Sequence, residues 1–245
     1  MKKQRNIDKR ILSSNRVYNL IKIVRPIISK KFKPIILHSE NIVRDLDCGL
    51  VIAPNHQSTL DPIIITAIIN RNIHWAALKR FFDATDSIFN NSKNPFLCHF
   101  TASMFRKLEY FPIERIRDNP RANNLHSVKE MITFLKKKQY IGIFPEGTTN
   151  KTANDFGTFE NGFVKMASLT NSHIQPITVL WVKKSEIPNK IIVNIGKAFE
   201  TNNMSEQEIY DKYLNMQREL LYENKQKCQE LTKILTVNLE KQKMV

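Results

Sequence analysis

Residues 51–62 read Val-Ile-Ala-Pro-Asn-His-Gln-Ser-Thr-Leu-Asp-Pro, and this stretch decides how the chain folds. An apolar run typical of a buried strand leads into a polar loop that carries His56, and Asp61 and Pro62 then open a helix. A capping residue followed by proline is a common helix start. Strand, loop and helix in this order are the unit of α/β proteins, whose ligands bind beyond the carboxyl ends of the strands. We therefore expect a site near His56.

The rest of the chain repeats this alternation of short apolar runs and longer helical stretches. Strands are predicted at Pro34–His38, Leu50–Ala53, Ile73–Leu78, Tyr110–Ile113, Tyr140–Phe144, Ile174–Val182 and Ile191–Ile195. Helices are predicted at Pro62–Asn70, Asn123–Lys138, Phe163–Thr170 and about Ser205–Lys243. The pattern predicts an α/β fold: a single-domain mixed β-sheet flanked by helices, with a basic amphipathic N-terminal segment and a helical C-terminal tail. We divide the chain into residues 1–34, a domain over 35–200 and an extension over 201–245 that packs on the domain.

Positive charge is concentrated at the amino-terminal end. The 245 residues contain 38 Lys and Arg against 23 Asp and Glu, a net charge of +15. Residues 1–44 hold twelve of the basic residues and two acidic ones, which is +10 of the total. The same segment has an apolar face at helical spacing, from Val17 to Ile28, and Pro26 should interrupt the helix. This pattern indicates either a segment that binds an anionic membrane surface or a terminal helix packed on the domain.

Several classes of protein are excluded by composition. The apolar stretches are short, as at Ile63–Ile69, so neither a membrane span nor a secretory signal is expected. Cys48, Cys98 and Cys228 are far apart, which argues against a disulfide framework and a cysteine-based metal site and suits a reducing cytoplasm. No aromatic and basic pattern typical of nucleic-acid binding is present, so no nucleic acid partner is expected.

A second informative stretch is residues 140–150, Tyr-Ile-Gly-Ile-Phe-Pro-Glu-Gly-Thr-Thr-Asn. Four of the six glycines in the chain fall between positions 142 and 162. Glycine is favoured where the backbone takes positive φ or where another group comes close. The turn at Gly147, with the hydroxyls of Thr148 and Thr149, could bind an anion, although a single Pro-Glu-Gly turn is often structural.

His56 and Asp61 are candidates for an acid–base pair. The ordinary pKa of histidine, about 6.5, suits a general base, and a carboxylate five residues later could hold the other ring nitrogen. The alternative is that Asp61 only caps the helix, and both roles are compatible because they use different lone pairs.

Taken together, these motifs resemble those of the glycerolipid acyltransferase family, in particular the bacterial 1-acylglycerol-3-phosphate acyltransferases. His56 and Asp61 match Asn-His-x4-Asp, and Phe144–Thr148 matches Phe-Pro-Glu-Gly-Thr. Tyr110–Arg115 resembles the second family motif, and Ile174–Ile177 the fourth. The resemblance covers roughly residues 35–200.

The resemblance implies an O-acyltransferase that moves a fatty acyl group from acyl carrier protein or CoA to a lysophospholipid hydroxyl, with 1-acylglycerol 3-phosphate as acceptor and phosphatidic acid as product. His56 would be the general base and Asp61 its partner. Arg115 would bind the acceptor's phosphate, Glu146 would shape the turn or contact the acceptor's hydroxyls, and Gly147, Thr148 and Thr149 would contact substrate. The implied enzyme needs no metal or cofactor beyond the acyl thioester, and it works in the cytoplasm, peripherally on the inner face of an anionic membrane.

Four positions depart from the family pattern. Thr149 stands where an arginine is usual and Glu160 where a lysine is common; Glu109 stands where a glycine is usual and Pro112 where an aromatic residue is common. The loss of the arginine and the lysine weakens the expected contact with a phosphate, since arginine–phosphate pairs are charge-assisted. Lys151, Lys165 or Arg106 could compensate. The acceptor therefore stays open at this stage: a different lysolipid, or water in a lipid thioesterase that uses the same His–Asp pair, remains an alternative.

Overall fold

A seven-stranded mixed sheet runs through the protein. The computed structural model describes residues 2–22, 25–87, 93–115, 118, 121, 123–150, 155–182 and 190–243. The strands are β1 (Ile35–Leu37), β2 (Leu50–Pro54), β3 (Ile73–Leu78), β4 (Phe111–Ile113), β5 (Tyr140–Gly142), β6 (His173–Trp181) and β7 (Ile191–Ile195). Their order in the sheet is β1-β7-β6-β2-β5-β3-β4. The predicted α/β architecture and its mixed sheet are confirmed.

Five neighbouring strands in this sheet are parallel, which brings their carboxyl ends to one edge. β2 pairs in parallel with β5 and β6, and β3 with β4 and β5. β7 runs antiparallel to β6, and β1 is parallel to β7. The loops that follow β2, β3, β4 and β5 therefore emerge side by side.

Seven helices are found in the part of the chain that the structure describes. They are α1 (Lys2–Ile21), α2 (Arg25–Phe32), α3 (Asp61–Ile69), α4 (Pro95–Lys107), α5 (Leu125–Lys136), α6 (Gly162–Thr170) and α7 (Glu206–Lys243). None of the helices in the described ranges is long and apolar enough to cross a membrane.

Both faces of the sheet are covered because its central strands are apolar at every position. Side chains alternate between faces along a strand, so Leu50 and Ile52 pack in one core and Val51 and Ala53 in the other. The first core lies against α3, and the second against α5, α6 and α7. All five residues of β2 are buried, as expected of a central parallel strand.

The amino-terminal segment is broken in two where Pro26 predicts an interruption. Ile7 and Ile11 of α1 pack against a core cluster, and Ser14 and Tyr18 are buried. Ile27, in α2, is 64% exposed. Ile23 and Val24 of the predicted apolar face lie outside the described residues. α1 is thus packed on the domain, as in one of the two alternatives drawn from the sequence, while α2 leaves an apolar side chain uncovered.

The long C-terminal helix α7 is tied to the sheet by buried polar side chains. Tyr213 Oη and Gln217 Nε2 donate to the carbonyl oxygen of Ala53, at 3.1 and 2.9 Å. Gln217 Oε1 accepts from Thr178 Oγ1 at 2.6 Å. These bonds pair the backbone carbonyl near the end of β2, just before the loop that carries His56.

Helix α4 is not among the predicted helices. Asn94 caps it by accepting from the backbone N–H groups of Phe96 and Leu97, and Pro95 is its first residue. Its apolar residues do not mark one face, because Cys98 is buried whereas Phe96 is 77% exposed. Hydrophobic periodicity along the sequence therefore gives no signal for this helix.

Candidate active site

The loops at the carboxyl edge of the sheet bring the two informative stretches together. His56 follows β2, and Phe144–Thr149 follows β5, the neighbouring strand. The two loops are bonded directly, since the amide of Asn150 donates to the carbonyl oxygen of His56 at 2.6 Å. Arg115 follows β4, two strands away on the same edge. Residues from distant parts of the sequence thus surround one position, as the topology requires.

His56 and Asp61 form a hydrogen-bonded pair. His56 Nδ1 lies 3.0 Å from Asp61 Oδ2, and the Asp61 side chain is fully buried. The same oxygen accepts the backbone N–H groups of Gln57 and Ser58, both at 2.7 Å. The other oxygen, Oδ1, accepts the indole N–H of Trp181 at 2.7 Å. Four donors converge on one buried carboxylate, as a charged group inside a protein requires.

Asp61 does not cap α3 in the way the sequence suggested. The helix begins at Asp61 itself, with Leu60 at the N-cap and no side-chain cap bond. The carboxylate turns back into the preceding loop, where it accepts donors that precede the helix. The loop therefore wraps around Asp61, and this fixes the spacing of five residues to His56.

An aromatic stack supports the imidazole. His56 stacks on Phe144 with ring centroids 3.9 Å apart, and Phe144 stacks on Trp75 at 4.9 Å. Trp75 in turn lies on Gly142, where an added Cβ would fall 2.3 Å from the indole. The glycine in β5 is thus required by a close approach. The stack sets the plane of the His56 ring, and the bond to Asp61 sets its rotation.

The side chains of Asn55 and Gln57 extend the sheet beyond the end of β2. Asn55 Nδ2 donates to the Val179 carbonyl oxygen at 3.0 Å, and Asn55 Oδ1 accepts the Val179 N–H at 2.6 Å. Gln57 Oε1 accepts the Trp181 N–H at 2.9 Å. These bonds replace the backbone partner that β6 loses where β2 stops. The loop is held along β6 on both sides of His56.

Glu146 joins the two loops. Its Oε1 accepts the backbone N–H of His56 at 2.9 Å, and its Oε2 accepts that of Gly157 at 2.8 Å. The side chain is buried, at 6% exposure. Glu146 was predicted either to shape this turn or to contact the acceptor's hydroxyls, and the structure places both of its oxygens on backbone donors. Its carboxylate therefore shapes the site.

The turn at Gly147 has the backbone conformation that the sequence suggested. Gly147 has φ of +60°, in the region that favours glycine, and its N–H donates to the Phe144 carbonyl oxygen at 3.0 Å. That amide is consequently occupied within the turn. Between described residues, no hydrogen bond involves the amides or hydroxyls of Thr148 and Thr149. These two residues therefore offer the free donors at this turn.

A cavity of about 150 Å³ opens beside His56. Its lining is partly apolar and partly polar or cationic. The polar and cationic part is formed by His56, Arg80, Arg115, Gly147, Thr148 and Thr149; the apolar part includes Ala76, Ala77, Leu78, Phe81, Phe105 and Ile113. Of the described residues that line the cavity, none is acidic. The arrangement suits a ligand with an anionic group and a hydrocarbon portion.

The cations near this cavity are only partly those that the sequence singled out. Arg115 is present as predicted, with its side chain 20% exposed. Arg80, which belongs to none of the sequence motifs, also lines the cavity and forms an ion pair with Asp86 at 3.1 Å. Arg106 is directed elsewhere, since it donates to the carbonyl oxygen of Phe82. Lys165 is exposed on α6 away from the lining, and Lys151 lies outside the described residues.

The structure gives a reason for Glu109 at a position where glycine is usual. Glu109 has φ of 54°, so the backbone needs the left-handed conformation there. A residue with a Cβ costs about 1–2 kcal/mol in this region. The side chain forms an ion pair with Arg10 of α1 at 2.7 Å, and Arg10 also pairs with Glu130 at 2.5 Å. The substitution therefore anchors the amino-terminal helix to the domain.

No metal site is apparent in the ranges that the structure describes. No group of three or more His, Cys, Asp or Glu side chains there is placed to hold an ion. His74 is fully buried beside Phe134, and burial lowers its pKa to about 4. It is a neutral residue of the core.

The sequence of this chain matches a known protein family. A family model described as Acyltransferase matches residues 34–180, more than half of the chain. The chain therefore belongs to the acyltransferase family. A curated relative, 1-acyl-sn-glycerol-3-phosphate acyltransferase of Bacillus subtilis (strain 168), is 29% identical over 131 residues, which are 53% of this chain and 55% of the relative. The chain thus matches about half the length of that relative.

A solved structure shares the fold. The crystal structure of the 1-acyl-sn-glycerophosphate (LPA) acyltransferase PlsC from Thermotoga maritima superposes with a TM-score of 0.62, covering 86% of this chain and 81% of that one. Sequence identity between the two is 19%. At this level the likeness concerns the fold.

Proposed function

We propose that this protein transfers a fatty acyl group from an acyl thioester, carried by acyl carrier protein or CoA, to the free hydroxyl of 1-acylglycerol 3-phosphate, forming phosphatidic acid. One observation carries the proposal: His56, hydrogen-bonded to Asp61 behind it, lines the same cavity as the Gly147 turn and two arginines. The printed activity of the Bacillus subtilis relative supports this choice of acceptor.

His56 has the geometry of a general base. Its Nδ1 is bonded to Asp61, and no bond between described residues involves Nε2, which is left for the acceptor hydroxyl. Nε2 takes the hydroxyl proton as the oxygen attacks the thioester carbonyl carbon. The tetrahedral intermediate then expels the thiolate, which receives the proton from the imidazolium. Asp61 stabilises the imidazolium throughout, and no enzyme-bound acyl intermediate is needed.

The remaining groups bind charge. Amides or hydroxyls of Thr148 and Thr149 stabilise the oxyanion of the intermediate. Arg115 and Arg80, which both line the cavity, bind the acceptor's phosphate. Arg80 thereby replaces part of the positive charge that Thr149 does not supply.

An acceptor panel tests this function. Purified protein is incubated with a radiolabelled acyl thioester and with 1-acylglycerol 3-phosphate, glycerol 3-phosphate or an uncharged lysolipid, and the products are identified. We expect phosphatidic acid from the first acceptor, and His56→Ala should lower the rate by about 10²–10⁴-fold while the protein stays folded. His126→Ala, at an exposed histidine, is the matched control. Free fatty acid formed without acceptor would instead indicate a hydrolase.

We further propose that residues 1–34 bind an anionic membrane surface and so present the site to its lipid acceptor. The exposed Ile27 and the exposed Lys22, Lys30 and Lys31 support this. Each basic residue near an anionic surface contributes about 1 kcal/mol. Changing the three lysines to Gln should therefore weaken binding to phosphatidylglycerol vesicles by roughly 3 kcal/mol at low salt.

The control for this experiment changes three exposed lysines elsewhere, Lys129, Lys136 and Lys165, to Gln. Net charge falls equally in the two variants, so a local effect is separated from a global one. Equal losses in both, or binding indifferent to salt, would contradict a membrane role for the amino-terminal segment.

A further inference from the structure

Trp181 is the last residue of β6, and its indole reaches the candidate active site. Its Nε1–H donates to Asp61 Oδ1 at 2.7 Å, across 120 positions of sequence. The acceptor side chain has no exposure to solvent. A hydrogen bond to a buried carboxylate is of the strong, charge-assisted kind.

The two oxygens of Asp61 accept different numbers of hydrogen bonds. Oδ2 accepts from His56, Gln57 and Ser58, whereas Trp181 is the one donor to Oδ1 among the described residues. The bonds to Oδ2 all come from the loop that Asp61 itself organises. The bond to Oδ1 comes from the sheet. Trp181 therefore fixes the carboxylate relative to the rigid part of the protein.

Two contacts hold Trp181 in place. The backbone N–H of Trp181 donates to Gln57 Oε1 at 2.9 Å. Its ring meets the ring of Phe32 edge-on, with centroids 5.8 Å apart and planes at 79°. A donor held in this way does not have to be ordered during the reaction, which is the requirement for a preorganised site.

We propose that Trp181 is a positioning residue for the His56–Asp61 pair: its indole N–H holds the carboxylate in the orientation that directs the imidazole into the cavity. The proposal rests on the proposed acyl transfer. Trp181 acts through Asp61, and it is not among the residues that line the cavity beside His56.

The bond can be observed without substrate. The chain has two tryptophans, Trp75 and Trp181, so ¹⁵N-indole labelling gives two N–H resonances. Trp75 Nε1 donates to Thr66 Oγ1 and is the internal reference. We expect Asp61→Ala to move the Trp181 resonance and leave that of Trp75 in place, whereas Thr66→Val moves the Trp75 resonance alone. A Trp181 resonance that ignores Asp61→Ala overturns the proposal.

Kinetics then tests the role of the bond. Trp181→Phe keeps a ring against Phe32 and removes the donor. A hydrogen bond to a charged group contributes about 1.5–3 kcal/mol, so we expect kcat to fall about 10- to 100-fold with KM within twofold. In an Asp61→Ala background the same change should alter kcat less than twofold, because Trp181 has no carboxylate left to hold.

The outcomes separate the two proposals. Absence of acyl transfer by the unaltered protein refutes the proposed function, and the resonance experiment still decides whether the bond exists. Normal kcat in Trp181→Phe, or an equal loss with and without the Asp61 carboxylate, refutes the positioning role alone. If Trp181→Phe fails to fold, the test is the Trp181 indole resonance, compared between the unaltered protein and the Asp61→Ala variant.

Discussion

Replacing Glu146 by Gln tests whether this residue is part of the scaffold or part of the acceptor site. Its two oxygens accept the backbone N–H groups of His56 and Gly157 at 2.9 and 2.8 Å. An amide has one acceptor oxygen, so one buried N–H would face an NH₂ group in Glu146→Gln. The loss of a charged acceptor costs about 1.5–3 kcal/mol, and the unpaired buried donor costs about 1–3 kcal/mol. Allowing for relaxation of the loop, we expect a destabilisation of about 3 kcal/mol.

The catalytic effect of the same change follows from the position of the bond. Oε1 holds the backbone of His56 itself, and a misplacement of about 1 Å in a reacting group costs about 10²-fold in rate. We therefore expect kcat to fall by about this factor with KM for the acceptor little changed. Urea unfolding followed by circular dichroism measures the stability, and steady-state assays measure kcat and KM.

Glu160→Gln is the matched control, because Glu160 is an exposed carboxylate of the same region. It should leave stability within about 0.5 kcal/mol of the unaltered protein. The scaffold role is refuted if Glu146→Gln unfolds at the wild-type urea concentration and raises KM for the acceptor. That result would restore the substrate contact expected from the sequence.

Two further predictions concern the core. His74 is buried with a pKa of about 4 against about 6.5 when unfolded, so the unfolded chain binds its proton first as pH falls. Its contribution to stability is complete above about pH 6.5 and is lost between there and pH 4, by about 3 kcal/mol. His74→Asn should flatten this part of the stability–pH curve, whereas His126→Asn should not; identical curves for the two variants would disprove the assignment. Gly142→Ala should cost about 1–3 kcal/mol by displacing Trp75, and should also lower kcat through the aromatic stack. Gly162→Ala, where an added Cβ meets nothing within 4 Å, is the control, and equal effects of the two changes would exclude this mechanism.

The sheet was predictable because its strands carry a strong local signal. All seven strands occur where apolar, β-branched runs predict them, and β2 agrees to within a residue at each end. β5 is shorter than predicted and ends at Gly142, because Phe144 leaves the ladder to lie between two other rings. The hydrophobic pattern of a single segment cannot predict where this strand ends, since the stack is formed by residues from three separate segments.

The candidate site was predictable in part. The spacing of His56 and Asp61, and the turn at Gly147, are properties of short segments, and the structure brings them together as the order of strands implies. Trp181 and the two donors to Glu146 were not identified, because each contact joins residues far apart in sequence. Arg80 was missed for a different reason: a single arginine after a strand resembles any other surface charge until the cavity is seen.

The contact between Phe32 and Trp181 has a practical consequence for dividing this chain. A fragment that lacks residues 1–34 would retain every motif by which the family is recognised. It would lose Phe32, however, and so expose one side of the Trp181 indole that donates to Asp61. Such a trimmed protein would keep His56 and Asp61 but lose the ring beside Trp181 together with the packing of α1 on the domain, and we expect it to transfer acyl groups poorly. Protein expressed for activity assays should therefore include α2. Low activity of a fragment without α2 would not count against the proposed acyl transfer.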